Sequence, residues 1–234
     1  TGKAPFRDIY ITSLVRDKQG RKMSKSLGNG IDPLEIVDEY GADALKFTLA
    51  FMAAQGQDVL IDKESFDQGF RFGNKIWNAA RFVLMNLEGR ALMPLSSIEF
   101  RPVDTWIYHQ LNETVKTVTA AMAVYRFNEA AQSCYEFFWN DFCDWYIEAS
   151  KLSLYSDNEA EKDRAITLLV RVLEESLRLL HPFMSFITEE IYQKLPEIPE
   201  SERTEALIVA DSPRERPERE KPSAAAAFAS LQEL

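Results

Sequence analysis

Residues 103–181 contain neither glycine nor proline, and this stretch constrains the fold more than any other feature of the chain. Glycine and proline are the residues that most often end a helix, so a stretch of this length without either is typical of long helices. The whole chain has only 9 glycines and 10 prolines in 234 residues, too few for a turn-rich β-sandwich. Because 46% of the residues are apolar, a folded core is expected rather than disorder. We therefore predict a mainly α-helical fold.

Capping residues and apolar spacing divide the chain into helices. Asp32 and Pro33 have the pattern of an N-cap and a first helical position, which predicts a helix that ends at Gly41. Asp43 and Asp62 predict the starts of a second helix and of a long third helix. The third helix is predicted to reach residue 87, and further helices are predicted over residues 103–125, 128–154, 158–180 and 184–195. Because the connections are short, we expect an antiparallel bundle.

The two ends of the chain are predicted to differ from the bundle. Residues 6–15 are rich in β-branched and aromatic side chains and predict a strand, and residues 206–210 predict a second, lone strand. Residues 214–221 are charged and contain prolines, which predicts mobility, and residues 224–234 predict the start of a further helix. Three regions follow: a short α/β segment over residues 1–61, the helical bundle over 62–195, and a partly mobile C-terminal junction over 196–234.

The net charge of −10 hides a strong asymmetry along the sequence. Residues 1–31 contain seven basic and two acidic residues, 7 − 2 = +5, so the rest of the chain sums to −15. The basic residues are Lys3, Arg7, Arg16, Lys18, Arg21, Lys22 and Lys25. A basic segment on an acidic body indicates a local anion site rather than a broad nucleic-acid-binding surface.

The two cysteines, Cys134 and Cys143, form no CxxC pattern and are expected to be free thiols, as in a cytoplasmic protein. No apolar run reaches the ~18 residues needed to cross a bilayer, and no signal peptide is recognisable, so we expect no membrane contact. His109 and His181 lack neighbours at metal-ligand spacing, and no metal site is predicted. The chain begins at Thr1 instead of methionine, which indicates a piece of a longer protein.

The most specific chemical feature is a polar loop over residues 22–30. It carries two lysines three residues apart, two hydroxyls and a Gly-Asn pair: Lys22, Met23, Ser24, Lys25, Ser26, Gly28 and Asn29. Ammonium groups, hydroxyls and backbone N–H groups together can bind a polyphosphate. By composition alone, a solvated surface loop is the alternative interpretation.

The string KMSKS at residues 22–26 is the signature of class I aminoacyl-tRNA synthetases, and its surroundings resemble the valine-specific branch of that family. The similar segments are residues 14–17, 20–29, 31–34, 40–45, 74–82, 127–131, 143–148, 180–184 and 187–190. Ser185 stands where the family pattern has a proline. The resemblance extends over about residues 1–211.

The resemblance implies that residues 1–61 end the catalytic domain and that residues 62–195 form the anticodon-binding domain. A full enzyme of this branch is expected to be a monomer that activates valine with ATP and Mg²⁺ and transfers it to tRNA(Val). Residues 22–26 are then expected to bind ATP, with Lys22 and Lys25 stabilising charge on the phosphates. No HIGH motif is present, so the isolated chain is expected not to activate valine.

For the anticodon, the resemblance and the helical spacing point to the third helix. Asn78 and Phe82 are four residues apart and share a face, where an amide can read a base edge and a ring can stack on a base. Arg71, Lys75 and Arg81 are expected to contact phosphates. The alternative is that Phe82 belongs to the core and Asn78 is an ordinary surface residue.

Two other interpretations of the whole chain stay open. The isoleucyl, leucyl and methionyl enzymes share the signature loop, although the flanking residues favour the valyl branch. A stand-alone tRNA-binding or helical interaction module with a relic loop is an alternative from a different functional class.

Overall fold

The structure is a computed structural model that describes residues 2, 4–12, 14–201 and 203–232. It is mainly α-helical, as the sequence predicts. The helices are α1 (Pro33–Tyr40), α2 (Ala42–Met52), α3 (Asp67–Leu87), α4 (Pro102–Ala123), α5 (Phe127–Glu136), α6 (Glu148–Leu154), α7 (Glu159–Leu180), α8 (Ser185–Tyr192) and α9 (Pro222–Gln232). The strands are β1 (Val15–Arg16) and β2 (Val59–Leu60), which pair in parallel. Among the residues described, no helix is both long and apolar enough to cross a membrane.

Two of the predicted capping residues, Asp32 and Asp62, begin their helices as expected. The Asp32 carboxylate accepts a hydrogen bond from the backbone N–H of Leu34 at the start of α1. Asp62 and Ser65 form a capping box that opens a 3₁₀ turn over Lys63–Phe66, and α3 continues from that turn. Local capping chemistry thus explains why the sequence pattern locates these helices.

Residues 127–154 form one helical stretch, but its middle part, Phe137–Ile147, is π-helical and separates α5 from α6. A π-helix bonds each N–H to a carbonyl five residues back, so its turns are wider than those of an α-helix. Phe138, Phe142 and Tyr146, each four residues apart, are all 0% exposed. These three aromatic side chains therefore lie in the bundle core.

Two hydrophobic cores lie in the described chain. The main core fills the bundle of α2–α8. A smaller core consists of Ile36, Val59, Ile61 and Phe66, with Met23 of the polar loop packed against it. The small core therefore supports the polar loop.

The predicted strand over residues 6–15 is wrong for most of its length. Only Val15–Arg16 is a strand, because Val59–Leu60 lies beside it, whereas residues 4–12 have no strand partner in the described chain. Phe6, Ile9 and Ile11 are 76–87% exposed. Residue 13 lies outside the described residues.

The predicted strand over residues 206–210 is also wrong. Leu207–Val209 form a 3₁₀ turn, and the buried Leu207 joins the main core. In so short an apolar segment, one buried side chain is enough to anchor the backbone, and no pairing with another strand is needed. The structure shows α9 where a helix was predicted, although residues 233–234 lie outside the described part.

Residues 214–221, which the sequence predicts to be mobile, make specific contacts with the bundle. Arg219 is buried and donates two hydrogen bonds of 2.7 Å to the carboxylate of Glu175. Its guanidinium lies 4.6 Å from the ring centroid of Tyr108. Further along, Phe228 of α9 stacks on Trp106 with ring centroids 3.9 Å apart.

The prediction that Asp43 caps its own helix, α2, is wrong. Its carboxylate caps the start of α8 instead. Gly41 is the N-cap of α2, and the Asp43 carboxylate accepts hydrogen bonds from the backbone N–H groups of Phe186 (3.1 Å) and Ile187 (2.7 Å). The N-terminus of a helix favours a negative charge, so this contact fixes α8 against α2.

Candidate phosphate loop and RNA-binding face

The KMSKS loop, residues 22–30, starts directly after the tight turn that follows β1. Gly20 has φ +76°, a conformation that favours glycine, and its N–H donates to the carbonyl of Asp17. Arg16 and Lys22 then form an antiparallel bridge. Half-buried Met23 rests on the small core, Ser24 and Asn29 are also half-buried, and the other residues of the loop are exposed.

Asp17 is the centre of the hydrogen bonds below the loop. It is only 7% exposed, and its carboxylate accepts from the backbone N–H of Arg21 (2.8 Å) and the side-chain amide of Asn29 (2.9 Å). The Arg21 guanidinium also pairs with it at 2.8 Å. The Asn29 hydrogen bond, followed by those from Arg21, lowers the pKa of Asp17 to about 2.

The far end of the loop is held by Asn29 and Ser24. The Asn29 amide oxygen accepts a 3.0 Å hydrogen bond from the backbone N–H of Ser24. The Ser24 hydroxyl accepts from the N–H of Leu27 and lies 3.2 Å from the Ser26 hydroxyl. Gly28, with φ +62°, ends the 3₁₀ turn formed by Lys25–Leu27. The two serines thus shape the loop.

The two lysines of the loop are exposed. Neither Lys22 nor Lys25 has an ion pair or a side-chain hydrogen bond within the described part of the chain. Two free ammonium groups on a closed loop form a site for a multiply charged anion.

The second candidate site lies on α3. Asn78 and Arg81 are exposed and have no polar side-chain contact among the described residues. Phe82 is half-buried: it packs against the main core, and the ammonium of Lys151 lies 5.7 Å from its ring centroid. The ring therefore packs partly against the main core, and the prediction that it stacks on a base stays a prediction.

The other two basic residues of this face are paired with acids. Arg71 forms an ion pair with Asp67 at 3.2 Å on the same helix, and its side chain is 73% exposed. Lys75 donates a 2.6 Å hydrogen bond to Asp144 and lies 5.0 Å from the ring centroid of Trp139. Arg81 is therefore the basic residue of this group that is free in the described chain.

The sequence interpretation missed two residues. Asp17 is included there only as part of the family-like segment over residues 14–17, without a role of its own. Lys151, held by Glu148 through hydrogen bonds of 2.7 and 2.8 Å, lies on another helix, so no local pattern could connect it with Phe82.

Two families match separate parts of the chain. Residues 104–234 match the family described as the anticodon-binding domain of tRNA ligase. Residues 1–62, which include the KMSKS loop, match the family described as tRNA synthetases class I (I, L, M and V). The chain belongs to the anticodon-binding domain family of tRNA ligases, and the predicted family resemblance is confirmed.

Several similar proteins are valine–tRNA ligases. The one from Treponema denticola is 56% identical over 100% of this chain, which spans 27% of that relative. The one from Treponema pallidum is 62% identical over 83% of this chain and 20% of the relative. The one from Thermotoga maritima is 59% identical over 84% of this chain and 22% of the relative. The chain therefore spans about a quarter of the length of these relatives.

Solved structures show the same fold at lower identity. LeuRS from Agrobacterium radiobacter, solved with tRNA and LeuAMS, has a TM-score of 0.73 and 24% identity, covering 93% of this chain and 25% of that chain. Methionyl-tRNA synthetase from Mycobacterium tuberculosis, in complex with methionyl-adenylate, has a TM-score of 0.64 and 22% identity, covering 77% of this chain and 36% of that chain. At these identities the likeness concerns the fold alone.

Proposed function

We propose that this chain is part of a cytoplasmic, monomeric valine–tRNA ligase, to which it contributes the KMSKS loop and the anticodon-binding bundle. The whole enzyme activates valine with ATP and transfers it to tRNA(Val). The observation that carries the proposal is the pair of free lysines on a shaped loop, in a chain 56% identical to a valine–tRNA ligase. The identities of 56–62% with valine–tRNA ligases favour the valyl reaction over its sister reactions.

The proposed role of the loop is electrostatic. When the valine carboxylate attacks the α-phosphorus of ATP, pyrophosphate leaves and negative charge develops on the bridging and leaving oxygens. Lys22 and Lys25 stabilise that charge, while Ser24 and Ser26 hold the loop shape instead of acting as nucleophiles. Met23 contributes through the small core. Mg²⁺ bound with ATP supplies further neutralisation of phosphate charge.

The proposed role of the bundle is to read the anticodon with α3. Asn78 is exposed and free to hydrogen-bond a base edge, and the accessible part of the Phe82 ring is placed to stack on a base. Arg81 is free to contact a phosphate, while Arg71 and Lys75 first have to leave their acidic partners. Lys151 has to move from the Phe82 ring when a base stacks there, and its charge then faces the RNA backbone.

A gel-shift titration of this chain with transcribed tRNAs tests the proposal. We expect tRNA(Val) to bind more tightly than the same transcript with a changed anticodon, by about 1–3 kcal/mol for each lost base contact. Asn78→Ala should reduce this preference, whereas Lys162→Ala on α7 serves as a control. Equal binding of all transcripts would contradict anticodon reading by the bundle and favour a general RNA-binding or interaction module.

A further inference from the structure

One carboxylate below the KMSKS loop joins both ends of the loop. Asp17 lies before the loop, yet it is hydrogen-bonded to Arg21, just before the first loop residue, and to Asn29, near the last. The Asn29 amide nitrogen also lies 3.4 Å from the carbonyl of Lys22. Lys22 and Lys25 therefore lie between two points that a single buried side chain holds together.

A buried negative charge beside an anion site needs an explanation, because it repels the anion. The Asp17 carboxylate accepts at least four hydrogen bonds, from the backbone N–H of Gln19, the backbone and side chain of Arg21, and Asn29. Arg21 neutralises its charge, and the carboxylate makes these bonds stronger than those of a neutral acceptor. These strong hydrogen bonds hold the loop closed, and this structural role explains a negative charge beside an anion site.

Asn29 has a role that a carboxylate cannot fill. Its amide nitrogen donates to Asp17 while its amide oxygen accepts from the backbone N–H of Ser24. Only a side chain with both a donor and an acceptor connects the two groups. An aspartate at position 29 would place two carboxylates face to face.

We propose that Asp17 and Asn29 form a clasp that sets the conformation of the KMSKS loop, and that both are positioning residues for Lys22 and Lys25. The part that concerns phosphate rests on the proposed function. Neither residue touches the anion: Asp17 acts through Asn29, and Asn29 acts through the Ser24 backbone.

The exchange of donor and acceptor between the two positions provides a sharp test. Asn29→Asp removes the donor that faces Asp17, and Asp17→Asn removes a charged acceptor. The double variant Asp17→Asn with Asn29→Asp restores one donor and one acceptor. In it, the new amide at position 17 can donate to the new carboxylate at position 29, which still accepts from the Ser24 N–H. In the wild-type chain the Arg21 Nε–H shares the Asp17 oxygen with Asn29, so in the double variant it has to turn to the carboxylate at position 29. Asn29→Ser is a further variant, because it removes the amide without adding charge.

Amide hydrogen exchange of this chain reports the clasp directly. We expect Asn29→Asp and Asn29→Ser to raise the exchange rate of the Ser24 amide about tenfold or more, and the double variant to return it to within about threefold of wild type. The amide of Ile76, in the main core, should not change, which shows that the chain is folded. Unchanged exchange in the single variants, or a double variant as fast as Asn29→Asp, would overturn the clasp.

The functional measurement is made in the full-length ligase. We expect Asn29→Asp to raise KM for ATP about tenfold, with KM for valine and for tRNA unchanged and KM for ATP restored in the double variant. A purely structural role would change all three together and would overturn the positioning role. If Ser24 exchange rises but KM for ATP is unchanged, the clasp stands and the proposed phosphate role of the loop fails.

Discussion

The loop region and the bundle differ in how a carboxylate is hydrogen-bonded, as two aspartates show. Hydrogen bonds from Asn29 and then Arg21 lower the pKa of Asp17 to about 2, against the opposing effect of burial. Within the described part of the chain, Asp141 in the π-helical segment accepts a single side-chain hydrogen bond, of 3.3 Å from Gln110, and burial raises its pKa to about 6. The basic side chains of the two regions also differ. Lys22 and Lys25 have no acidic partner in the described chain, whereas Arg71 and Lys75 form ion pairs with acidic residues.

This difference teaches that the two regions offer different chemistry to the ligands proposed for them. In the loop, a fully hydrogen-bonded buried carboxylate fixes the backbone, and Lys22 and Lys25 carry no acidic partner in the described chain. On α3, Arg71 and Lys75 are paired with acids, so the proposed RNA contact there would depend more on an aromatic ring and an amide than on charge. The following predictions test this comparison, beginning with the largest expected effect.

The largest effect is expected at Lys25 of the loop. In the full-length ligase, Lys25→Ala should slow adenylate formation by about 10²–10³, the range for losing one group that stabilises charge in a transition state. Valine-dependent ATP–pyrophosphate exchange measures this rate, and the affinity for valine should change little. Lys18→Ala is the matched control, since Lys18 lies in the same basic segment but outside the loop. Equal rates for Lys25→Ala and Lys18→Ala would remove Lys25 from the mechanism.

The second largest effect is expected at Phe82. Phe82→Ala should weaken binding of tRNA(Val) by about 1–3 kcal/mol, the range for one lost base stack, and it should not affect a tRNA with a changed anticodon. Phe6→Ala removes an exposed ring outside α3 and is the control. Thermal melting is needed as well, because Phe82 also packs against the main core. A steep fall in the melting temperature together with equal weakening of all RNAs would assign Phe82 to the core alone.

The third prediction concerns stability and pH at Asp141. Because its folded pKa is raised, the folded state takes up a proton more readily than the unfolded state. The contribution of Asp141 to stability is therefore highest below about pH 4 and is lost as the pH rises through about 6. Asp141→Asn should stabilise the chain by about 1–2 kcal/mol at pH 7.5, since one pKa unit corresponds to about 1.4 kcal/mol. Burial is the main cause, and the nearby carboxylate of Glu136 adds to it.

Urea denaturation at pH 7.5 and pH 4.5 measures this effect. The stabilisation should be small at pH 4.5. Asp17→Asn is the opposite control: because the folded pKa of Asp17 is lowered, its contribution is present above about pH 4 and is lost as the pH falls through about 2. If Asp141→Asn destabilised the chain equally at both pH values, the contrast between the two aspartates would not hold.

The smallest effect is expected from the arginines of α3. Arg81→Ala and Arg71→Ala should weaken cognate and altered tRNAs similarly, because a phosphate contact carries no sequence information. Each loss should flatten the salt dependence by a slope of about 0.9 or less, with the smaller change at Arg71, which already pairs with Asp67. Binding titrations at several salt concentrations give the slopes. A larger change in slope for Arg71→Ala than for Arg81→Ala would show that the ion pair with Asp67 does not limit the phosphate contact of Arg71.

The helices could be predicted because their signals are local. Asp32, Asp62 and Asn158 accept hydrogen bonds from N–H groups within the next three residues, so a short stretch of sequence contains both partners. The strand over residues 6–15 could not be predicted correctly, because a strand also depends on a distant neighbour. The same holds for Asp43, whose partners at the start of α8 lie more than 140 residues away.

The candidate sites divide in the same way. The signature string identified the KMSKS loop, and helical spacing placed Asn78 and Phe82 on one face. The clasp between Asp17 and Asn29 spans 12 residues of irregular backbone, and Lys151 reaches Phe82 from another helix. Irregular backbone and contacts between helices have no periodicity, so these features appear only in three dimensions.

Helix α2 contributes to both cores, and this has a consequence for how such proteins can diverge. Phe47 is 0% exposed and lies 5.0 Å from Phe72 in the main core, while Leu49 of the same helix packs against the small core below the loop. Recombination between α2 and α3 would take the two helices from different parent proteins. Phe47 would then pack against a bundle with which it had not evolved. Substitutions around the loop and in the bundle are therefore expected to be inherited as one block.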